Sequence, residues 1–310
     1  MQNPVAAVVV PVRNGGARWH QAAEALKQFT PMALPVVVVD SESTDDSAAF
    51  AQECKFKVLT IRVADFNHGR TRQWATDQLA PGTDIVIFLT HDAIVESDAS
   101  ISCLLEGLSD PSVGAAYGRQ LPHADTGPIG AHARLYNYPG HSEVRSQQDI
   151  PRLGIKAAFL SNSFAAYRIS ALRAVGGFPD NYIFGEDTVV AVRMLRAGYK
   201  VAYCADATVR HSHDYSVAEE FMRYFDIGVL HTQADELVQL PSPNREGARF
   251  ALSEIRYLMR NAPHLLPGSL VRTAAKYSGY KVGRLHKHLS VATCRRLSMT
   301  KGYWSRAAGK

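Results

Sequence analysis

Four short runs of apolar residues, separated by helix-like patterns, organise the first third of the chain. The runs span Val5–Val10, Val36–Val39, Val58–Val63 and Ile85–Leu89. Continuous apolar runs of this length are typical of strands in a parallel sheet that is covered on both faces. The stretches between them predict helices at Ala17–Phe29, Thr44–Cys54 and Arg70–Leu79. This alternation predicts a doubly wound, Rossmann-like α/β fold with a mostly parallel central sheet and its ligand at the carboxyl ends of the strands.

The pattern loosens beyond Gly114. A stretch rich in Pro, Gly and His, Leu121–Gly140, predicts a long loop that covers the active site. After it, we expect strands at Ala157–Tyr167 and Lys200–Cys204 and an amphipathic helix at Asp187–Arg196. The chain from Val217 onward is mostly helical in pattern. The sequence therefore predicts a catalytic domain over residues 1–216 and a helical, basic C-terminal extension over residues 217–310.

Charge is distributed unevenly along the 310 residues. No acidic residue follows Glu254, and the last 56 residues contain 12 of the 34 Lys and Arg. A basic tail suggests an anionic partner surface, and no nucleic-acid-binding module is recognisable, so we do not expect a nucleic-acid partner. The first apolar run is too short for a signal peptide or a membrane span, and the four cysteines are widely spaced. These features predict a cytoplasmic protein.

Polar side chains follow the predicted strands. Asp40, after the second strand, can accept a hydrogen bond from a nucleotide base, whereas Ser43 and Thr44 suit helix capping equally well. After the first strand the chain lacks the GxGxxG pattern, which argues against a nicotinamide or flavin enzyme. Asn67-His68-Gly69-Arg70-Thr71-Arg72 opens a helix with backbone donors and guanidinium groups. That opening suits a diphosphate, although a solvated basic turn is the common alternative.

Carboxylates mark two further positions. Asp92 ends an apolar strand, where it either binds Mg²⁺ or Mn²⁺ or caps a turn. Glu186 and Asp187 open a predicted helix after Gly185. A carboxylate there can act as a general base, and the alternative is that both acids stabilise the helix N-terminus.

Together these motifs resemble the family 2 glycosyltransferases of the GT-A fold. The resemblance covers residues 5–216 and rests on Val-Pro-Val-Arg-Asn after the first strand, the Asp40 cluster, Asp92 and Gly-Glu-Asp before the late helix. Residues 66–72, 88–93 and 211–216 are similar to those of bacterial rhamnosyltransferases of O-antigen and cell-surface polysaccharide assembly.

The resemblance implies a role for each matching residue. The expected nucleotide-sugar-binding residues are Pro11, Arg13, Asp40, Ser41, His68, Gly69, Arg72, Thr90 and His91. The expected ligands of a divalent metal, Mg²⁺ or Mn²⁺, are Asp92, His211 and His213. Thr90 occupies the place of the first Asp of the family's DxD motif, which leaves open whether the metal is required. Asp187 matches the catalytic base, with Glu186 as the second candidate.

The function implied is an inverting transfer of a sugar, with L-rhamnose from dTDP-L-rhamnose favoured, onto a saccharide or lipid-linked saccharide acceptor. A UDP-hexose-dependent transferase and a catalytically degenerate sugar-nucleotide-binding subunit remain alternatives. A helix near the C-terminus interleaves basic residues with Tyr277, Tyr280 and Leu285. It is either a solvated helix or a contact with an anionic membrane surface, which would place the protein at the cytoplasmic face of the inner membrane. The basic residues of this helix are Arg272, Lys276, Lys281, Arg284 and Lys287.

Overall fold

The computed structural model describes residues 5–30, 34–240 and 246–307, which form two compact units. The first unit contains the chain up to Leu121 together with Tyr138–Asp180 and Glu186–His211. The second contains Pro122–Asn137, Asn181–Gly185 and the chain from Ser212 onward. Each unit thus takes in separate segments of the chain. The division expected at residue 216 stays a prediction.

A nine-stranded sheet forms the centre of the first unit. Its strands are β1 Ala6–Val12, β2 Val36–Asp40, β3 Lys57–Thr60, β4 Ile85–Leu89, β5 Ile94–Val95, β6 Val113–Leu121, β7 Glu143–Arg145, β8 Phe164–Arg168 and β9 Lys200–Arg210. Their order across the sheet is β3-β2-β1-β4-β8-β6-β9-β5, and β7 also pairs with β9.

Helices account for most of the remaining regular structure. Within the described residues they are α1 Gly16–Phe29, α2 Ser47–Glu53, α3 His68–Asp77, α4 Asp98–Glu106, α5 Pro128–Asn137, α6 Ile150–Leu153, α7 Ile169–Ala174, α8 Glu186–Arg196, α9 Val217–Gln233, α10 Asp235–Val238, α11 Glu246–Asn261, α12 Leu266–Arg284, α13 Val291–Leu297 and α14 Lys301–Ala307. Helix α5 and helices α9 to α14 belong to the second unit, and the others belong to the first.

The parallel half of the sheet follows the predicted alternation. Strands β3, β2, β1 and β4 run parallel to one another, and every residue of β2 and β4 is buried. Helix α1 packs Trp19 and Leu26 into the core, and the Trp19 indole N–H donates to the carbonyl of Ser47 at 3.0 Å. Because parallel strands place their carboxyl ends at one edge, the residues after β1, β2 and β4 gather there. The Rossmann-like prediction is confirmed.

The other half of the sheet is mixed. Strand β8 is antiparallel to both β4 and β6, whereas β9 runs parallel to β6. The register of β6 and β9 jumps midway, because Gly118 lies opposite Cys204 while Arg119 lies opposite Thr208. Residues 205–207 therefore form a bulge. A Cβ at residue 118 would collide with the Ala207 carbonyl, so this approach requires glycine.

Helices α9 and α12 form the centre of the second unit. Glycines on both helices, Gly228, Gly279 and Gly283, allow the two backbones to touch. Beside this contact, Glu220 of α9 and Glu254 of α11 meet two cations of α12. Lys276 Nζ lies 3.4 Å from Glu220 and 3.9 Å from Glu254.

The second cation of this group is Arg272, which lies 3.8 Å from Glu220. The Ser269 hydroxyl donates to Glu254, whose side chain is 1% exposed. We call Glu220, Glu254, Arg272 and Lys276 the helical ion cluster. It joins three helices of the second unit through two buried carboxylates and two half-buried cations.

Parts of the basic C-terminal region remain at the surface. Arg272 and Lys276 are engaged in the helical ion cluster, whereas Lys281, Arg284 and Lys287 are exposed. Large apolar residues on the same helix or just after it are also exposed, among them Leu270, Val271, Tyr277 and Leu285. Among the residues that the structure describes, no helix is long and apolar enough to cross a bilayer.

Two predicted elements are wrong. Leu121–Gly140 is not a continuous loop, because Pro128–Asn137 form α5. Proline is well suited to the first turn of a helix, and Gly130 packs against the Asp214 carboxylate, so neither residue signals a loop here. The strand predicted at Ala157–Tyr167 begins only at Phe164, after a 3₁₀ turn at Gly154–Ala158. Apolar runs of this length do not separate helix from strand.

Candidate functional site

Buried acceptor atoms lie at the carboxyl end of β2. Asp40 is the last residue of this strand and is 4% exposed. Its Oδ2 accepts the Ser43 N–H at 3.2 Å, while Oδ1 is buried without a hydrogen-bond partner among the described residues. The Ser41 hydroxyl is likewise buried without a hydrogen-bond partner among the described residues. Because an unpaired buried polar group is costly, these atoms are suited to pair with a ligand.

The turn after β1 is fastened to the turn after β2 through Asn14. Its backbone N–H donates to the Ser43 hydroxyl at 3.0 Å, and its Oδ1 accepts the Thr44 N–H at 2.7 Å. Asn14 adopts a φ of 47°, in the left-handed region. Of the two predicted residues nearby, Pro11 is half-buried on β1 and Arg13 is exposed. Their contact with a nucleoside stays a prediction.

Thr90 and His91 follow β4 at the same edge. The Thr90 hydroxyl is buried and has no hydrogen-bond partner within the described part of the chain. The His91 imidazole lies close to Gly15, at the start of α1. Both residues are half-buried and directly precede Asp92 in the chain. Their role in donor binding stays a prediction.

Asp92 and His211 face each other. His211 Nε2 lies 3.4 Å from Asp92 Oδ2, and the imidazole is 7% exposed. On the opposite side of the ring, Nδ1 lies 2.9 Å from Gln120 Oε1. An amide oxygen can only accept, so Nδ1 is the donor in this contact, and Nε2 is the ring nitrogen that faces Asp92. The Gln120 amide nitrogen donates to Ser161 at 3.0 Å, which fixes this orientation.

The donor set of this pair fits a divalent cation. Carboxylate oxygen and imidazole nitrogen bind Mn²⁺ and related ions, and two ligands that share one cation at about 2.1 Å stand roughly 3 Å apart. The contact from Gln120 is the kind of support that orients a metal-binding histidine. His213 follows two residues after His211, in the second unit, and its ring stacks on Tyr215.

Helix α3 carries the residues predicted to face a diphosphate. Asn67 caps the helix by accepting the Arg70 N–H, and His68 is its first residue. Gly69 is buried against the Pro179 carbonyl, so packing alone accounts for the glycine. The Arg72 guanidinium is 7% exposed, and its Nη1 donates to Glu186 Oε1 at 2.7 Å. Contact of these residues with a diphosphate stays a prediction.

The two carboxylates that open α8 differ in environment. Glu186 is 5% exposed and accepts hydrogen bonds from Arg72 and from the Asn162 amide, the latter at 2.9 Å. Asp187 is half-buried. It accepts the Asn162 backbone N–H at 3.2 Å and the Thr188 backbone N–H at 2.7 Å.

These environments separate the pKa values of the two groups. Burial alone would raise the pKa of Glu186, but Arg72, His68 and Asn162 together hold it below its ordinary value. Burial and the neighbouring Glu186 charge raise the pKa of Asp187 to about 6. Carboxylates whose pKa values are driven apart are typical of acid and base assignments in active sites. Asp187 is therefore equipped to take up a proton near neutral pH.

Two supporting residues were missed by the sequence analysis, Gln120 and Asn162, whereas Asn14 belongs to the motif after the first strand. Gln120 is the single amide of strand β6 and is 1% exposed, so it requires a buried polar partner. Asn162 lies between two serines just before β8. Neither position reveals its partner in the sequence, because each partner is distant in the chain.

This sheet, with carboxylates after its second and fourth strands and another at the start of a late helix, places the protein among the GT-A transferases. The chain belongs to glycosyltransferase family 2: it matches the family described as "Glycosyltransferase like family 2" over residues 4–225. The protein is a glycosyltransferase, and the resemblance seen in the sequence is confirmed.

Relatives are similar over nearly the whole chain. The O-antigen chain rhamnosyltransferase RfbN of Salmonella typhimurium is 44% identical over 300 residues, covering 96% of this chain and 95% of the relative. The O-antigen chain rhamnosyltransferase WbaN of Salmonella anatum is 44% identical over 305 residues, covering 97% and 96%. Among solved structures, the mannosyltransferase PcManGT of Pyrobaculum calidifontis, in complex with GDP-Man and Mn²⁺, has a TM-score of 0.57 at 18% identity. That match covers 100% of this chain and 87% of the other and shows a shared fold.

Proposed function

We propose that this protein is an inverting rhamnosyltransferase that moves L-rhamnose from dTDP-L-rhamnose onto a saccharide or lipid-linked saccharide acceptor in surface polysaccharide synthesis. The observation that carries the proposal is the 44% identity to two O-antigen chain rhamnosyltransferases along almost the full length of each chain. The geometry around Asp187 supports the chemistry that such a transfer requires.

Asp187 is the proposed catalytic base. The acceptor oxygen forms a bond to the anomeric carbon from the face opposite the diphosphate, and the bond from that carbon to the diphosphate breaks. Asp187 takes the proton that the acceptor hydroxyl loses. With a pKa of about 6, it is mostly ionised at neutral pH and still basic enough to accept that proton. Glu186, which is paired with Arg72, is a poorer candidate for this step.

The donor is proposed to bind along the carboxyl edge of the parallel strands. Asp40 Oδ1 and the Ser41 hydroxyl, both buried and unpaired, suit the N–H groups and polar edge of a base. Pro11 and Arg13 complete this nucleoside pocket. His68, Gly69 and Arg72 lie at the start of α3, and Thr90 and His91 follow β4, as candidates for the diphosphate and sugar.

Asp92 and His211 are the proposed metal ligands, with His213 as a third because it follows so closely in the chain. Their oxygen and nitrogen donors fit Mg²⁺ or Mn²⁺. A cation held there would supply positive charge to the leaving diphosphate. Gln120 keeps the His211 ring in the orientation and tautomer that such binding needs.

A panel of nucleotide sugars tests the donor. We expect the purified protein to release dTDP from dTDP-L-rhamnose faster than it releases UDP from UDP-hexoses. Because a ligand that binds only the folded state raises its melting temperature, dTDP should also protect the protein more than UDP. Turnover of a UDP-hexose instead would overturn the donor assignment. Binding of dTDP without turnover of any donor, in the presence of acceptor saccharides, would identify a degenerate binding subunit.

The second unit is proposed to attach the enzyme to the cytoplasmic face of the inner membrane. Exposed Lys281, Arg284 and Lys287 adjoin exposed Tyr277 and Leu285, and no acidic residue follows Glu254 in the chain. A surface that combines cations with apolar side chains suits anionic lipid headgroups, at about 1 kcal/mol per engaged cation.

Vesicle flotation tests the membrane attachment. Binding should rise with the anionic lipid content and fall with salt, because screening weakens the attraction. Reversing two charges, Lys281→Glu and Arg284→Glu, should abolish flotation. The matched control reverses two exposed charges of the first unit, Lys27→Glu and Lys57→Glu, and should float as the native protein does. Binding that ignores lipid charge would remove the membrane proposal and leave the transferase proposal intact.

A further inference from the structure

A chain of buried polar side chains runs beneath Asp187. The Tyr167 hydroxyl donates to Asn162 Oδ1 at 2.7 Å, and Asn162 Nδ2 donates to Glu186 Oε1 at 2.9 Å. Arg72 Nη1 donates to the same glutamate oxygen at 2.7 Å. All four residues are buried. We call Tyr167, Asn162, Glu186 and Arg72 the Asn162 chain.

Asn162 contacts both carboxylates at the start of α8. Its backbone N–H donates to Asp187 Oδ2, while its side-chain amide holds Glu186. The amide is itself held by Tyr167, which is completely buried on β8. The orientation of Asp187 is thus connected to a strand in the middle of the sheet through two consecutive hydrogen bonds.

Resting on the proposed role of Asp187, we propose that Asn162 is a positioning residue for sugar transfer: its backbone holds the Asp187 carboxylate while its side chain anchors Glu186 beside it. The same geometry assigns Arg72 to the Asn162 chain, where it also acts on Asp187 through Glu186. Rigid support of this kind keeps a catalytic group in its productive orientation.

The charged groups around Asp187 set the direction of the expected pH effects. Glu186 adjoins it on α8, and Arg72 reaches the pair from α3. His68 acts on Glu186 from the start of α3. Tyr167 faces the pair from β8 and is neutral, because burial raises its pKa far above the ordinary value. A further negative charge at residue 162 would therefore oppose ionisation of Asp187.

Three variants test the proposal through steady-state kinetics. Asn162→Ala should lower kcat roughly tenfold to a hundredfold and leave the donor KM within about twofold, because orientation is lost and binding is not. Asn162→Asp should move the acid limb of the kcat/KM profile, expected near pH 6, to higher pH. Tyr167→Phe should lower kcat by about twofold to tenfold, since it removes one hydrogen bond of the chain.

A matched control separates positioning from general packing. Tyr203 is also buried in the first unit, and its hydroxyl donates to the Pro139 carbonyl at 2.7 Å, away from the Asn162 chain. Tyr203→Phe should lose thermal stability as Tyr167→Phe does and keep the native kcat and pH profile. If Asn162→Ala does not fold, the comparison of these two tyrosine variants decides the question.

The outcomes distinguish this proposal from the one on which it rests. Turnover by Asp187→Asn at the native rate would remove the base assignment and the positioning role with it. Loss of turnover in Asp187→Asn, with native kcat and pH profiles in all three variants of the chain, would overturn the positioning role alone. For Arg72, Arg72→Gln should lower kcat and raise the pH of the acid limb. A raised donor KM with an unchanged pH profile would instead remove Arg72 from the positioning role and leave it a role at the diphosphate alone.

Discussion

Each unit of the molecule contains a set of buried charged side chains. The two sets differ in how completely their carboxylates are paired with cations. In the first unit, Glu186 is paired with Arg72, while Asp187 beside it accepts from uncharged donors, the Asn162 and Thr188 backbone N–H groups and the Thr188 hydroxyl, and stays half-buried. In the second unit, the helical ion cluster sets two carboxylates against two cations. Burial raises the pKa of Glu220, with Lys276 and Arg272 opposing the shift.

The difference separates a balanced group of buried charges from one that fits the proposed catalytic role. The helical ion cluster joins helices, and each of its carboxylates has a cation within 4 Å when it is ionised. Glu220 also has a raised pKa, but it is buried beside its cations, whereas Asp187 combines a raised pKa with access to solvent, as a general base requires. Asp187 has both properties, and the helical ion cluster has the balance expected of a structural element.

The largest expected effect comes from removing the unbalanced charge. Asp187→Asn should lower the transfer rate by about 10²- to 10⁴-fold, because the amide keeps the shape of the side chain and cannot accept a proton. Donor binding should be nearly unchanged. Single-turnover transfer and equilibrium binding of dTDP measure the two quantities separately. Native turnover by Asp187→Asn would show that Asp187 is not the base, and its raised pKa would then have no catalytic meaning.

Removing a charge from the balanced cluster should act on stability and not on chemistry. Lys276→Met leaves Glu254 and Glu220 short of a cation, and breaking a buried ion pair in this way costs up to about 3 kcal/mol of unfolding free energy. The control on the same helix, Lys281→Met, removes an exposed cation and should stay within about 0.5 kcal/mol of the native protein. Urea unfolding measures both. Equal losses would mean that the cluster contributes nothing beyond an exposed charge.

The contact between Gln120 and His211 is buried and uncharged, and it supports the candidate metal pair Asp92 and His211. Gln120→Leu removes the acceptor of the His211 Nδ1–H and should weaken Mn²⁺ binding by about 10- to 100-fold. Ser161→Ala, which removes only the outer partner of Gln120, should have a smaller effect. Calorimetric titration with Mn²⁺ measures both variants without relying on activity. An unchanged Mn²⁺ affinity in Gln120→Leu would show that Gln120 does not support a metal-binding His211.

The smallest effect concerns pH and stability. Asp187 has a folded pKa of about 6 against an ordinary value of 3.8, so between these values the unfolded chain releases a proton that the folded protein keeps. This group's contribution to stability therefore falls as the pH rises from about 4 to 6. Asp187→Asn has no such titration. Its unfolding free energy, compared with that of the native protein, should therefore rise by about 1–3 kcal/mol between pH 4 and pH 7. Parallel denaturation of both proteins at the two pH values checks the sign.

The sequence predicts the parallel half of the sheet well, because its strands are continuous valine and isoleucine runs separated by helices. It predicts the remainder poorly. Strand β6 carries alanines, glycines and Gln120, and β9 contains a bulge, so neither shows a clear period. Helix α5 begins with a proline and contains Gly130, which resemble loop residues until their partners are known.

The candidate site shows the same division. Asp40, Asp92 and Asp187 are recognisable because their positions follow strands or open a helix. Their supporting partners are not recognisable, since Asn162 reaches residues 24 and 25 positions away and Gln120 reaches a histidine 91 positions away. A sequence indicates which groups have reactive chemistry, whereas the hydrogen bonds that orient them depend on the assembled fold.

The bulge in β9 makes the candidate metal pair sensitive to chain length. Side chains on a strand alternate between faces, and the three residues 205–207 set the phase in which β9 resumes its pairing with β6. His211 continues that pairing, since its N–H donates to the Leu121 carbonyl at 2.9 Å. Loss of one residue from the bulge would turn the imidazole toward the opposite face. Members of this family that keep such a histidine should therefore vary freely in the identity of these three residues and hardly at all in their number.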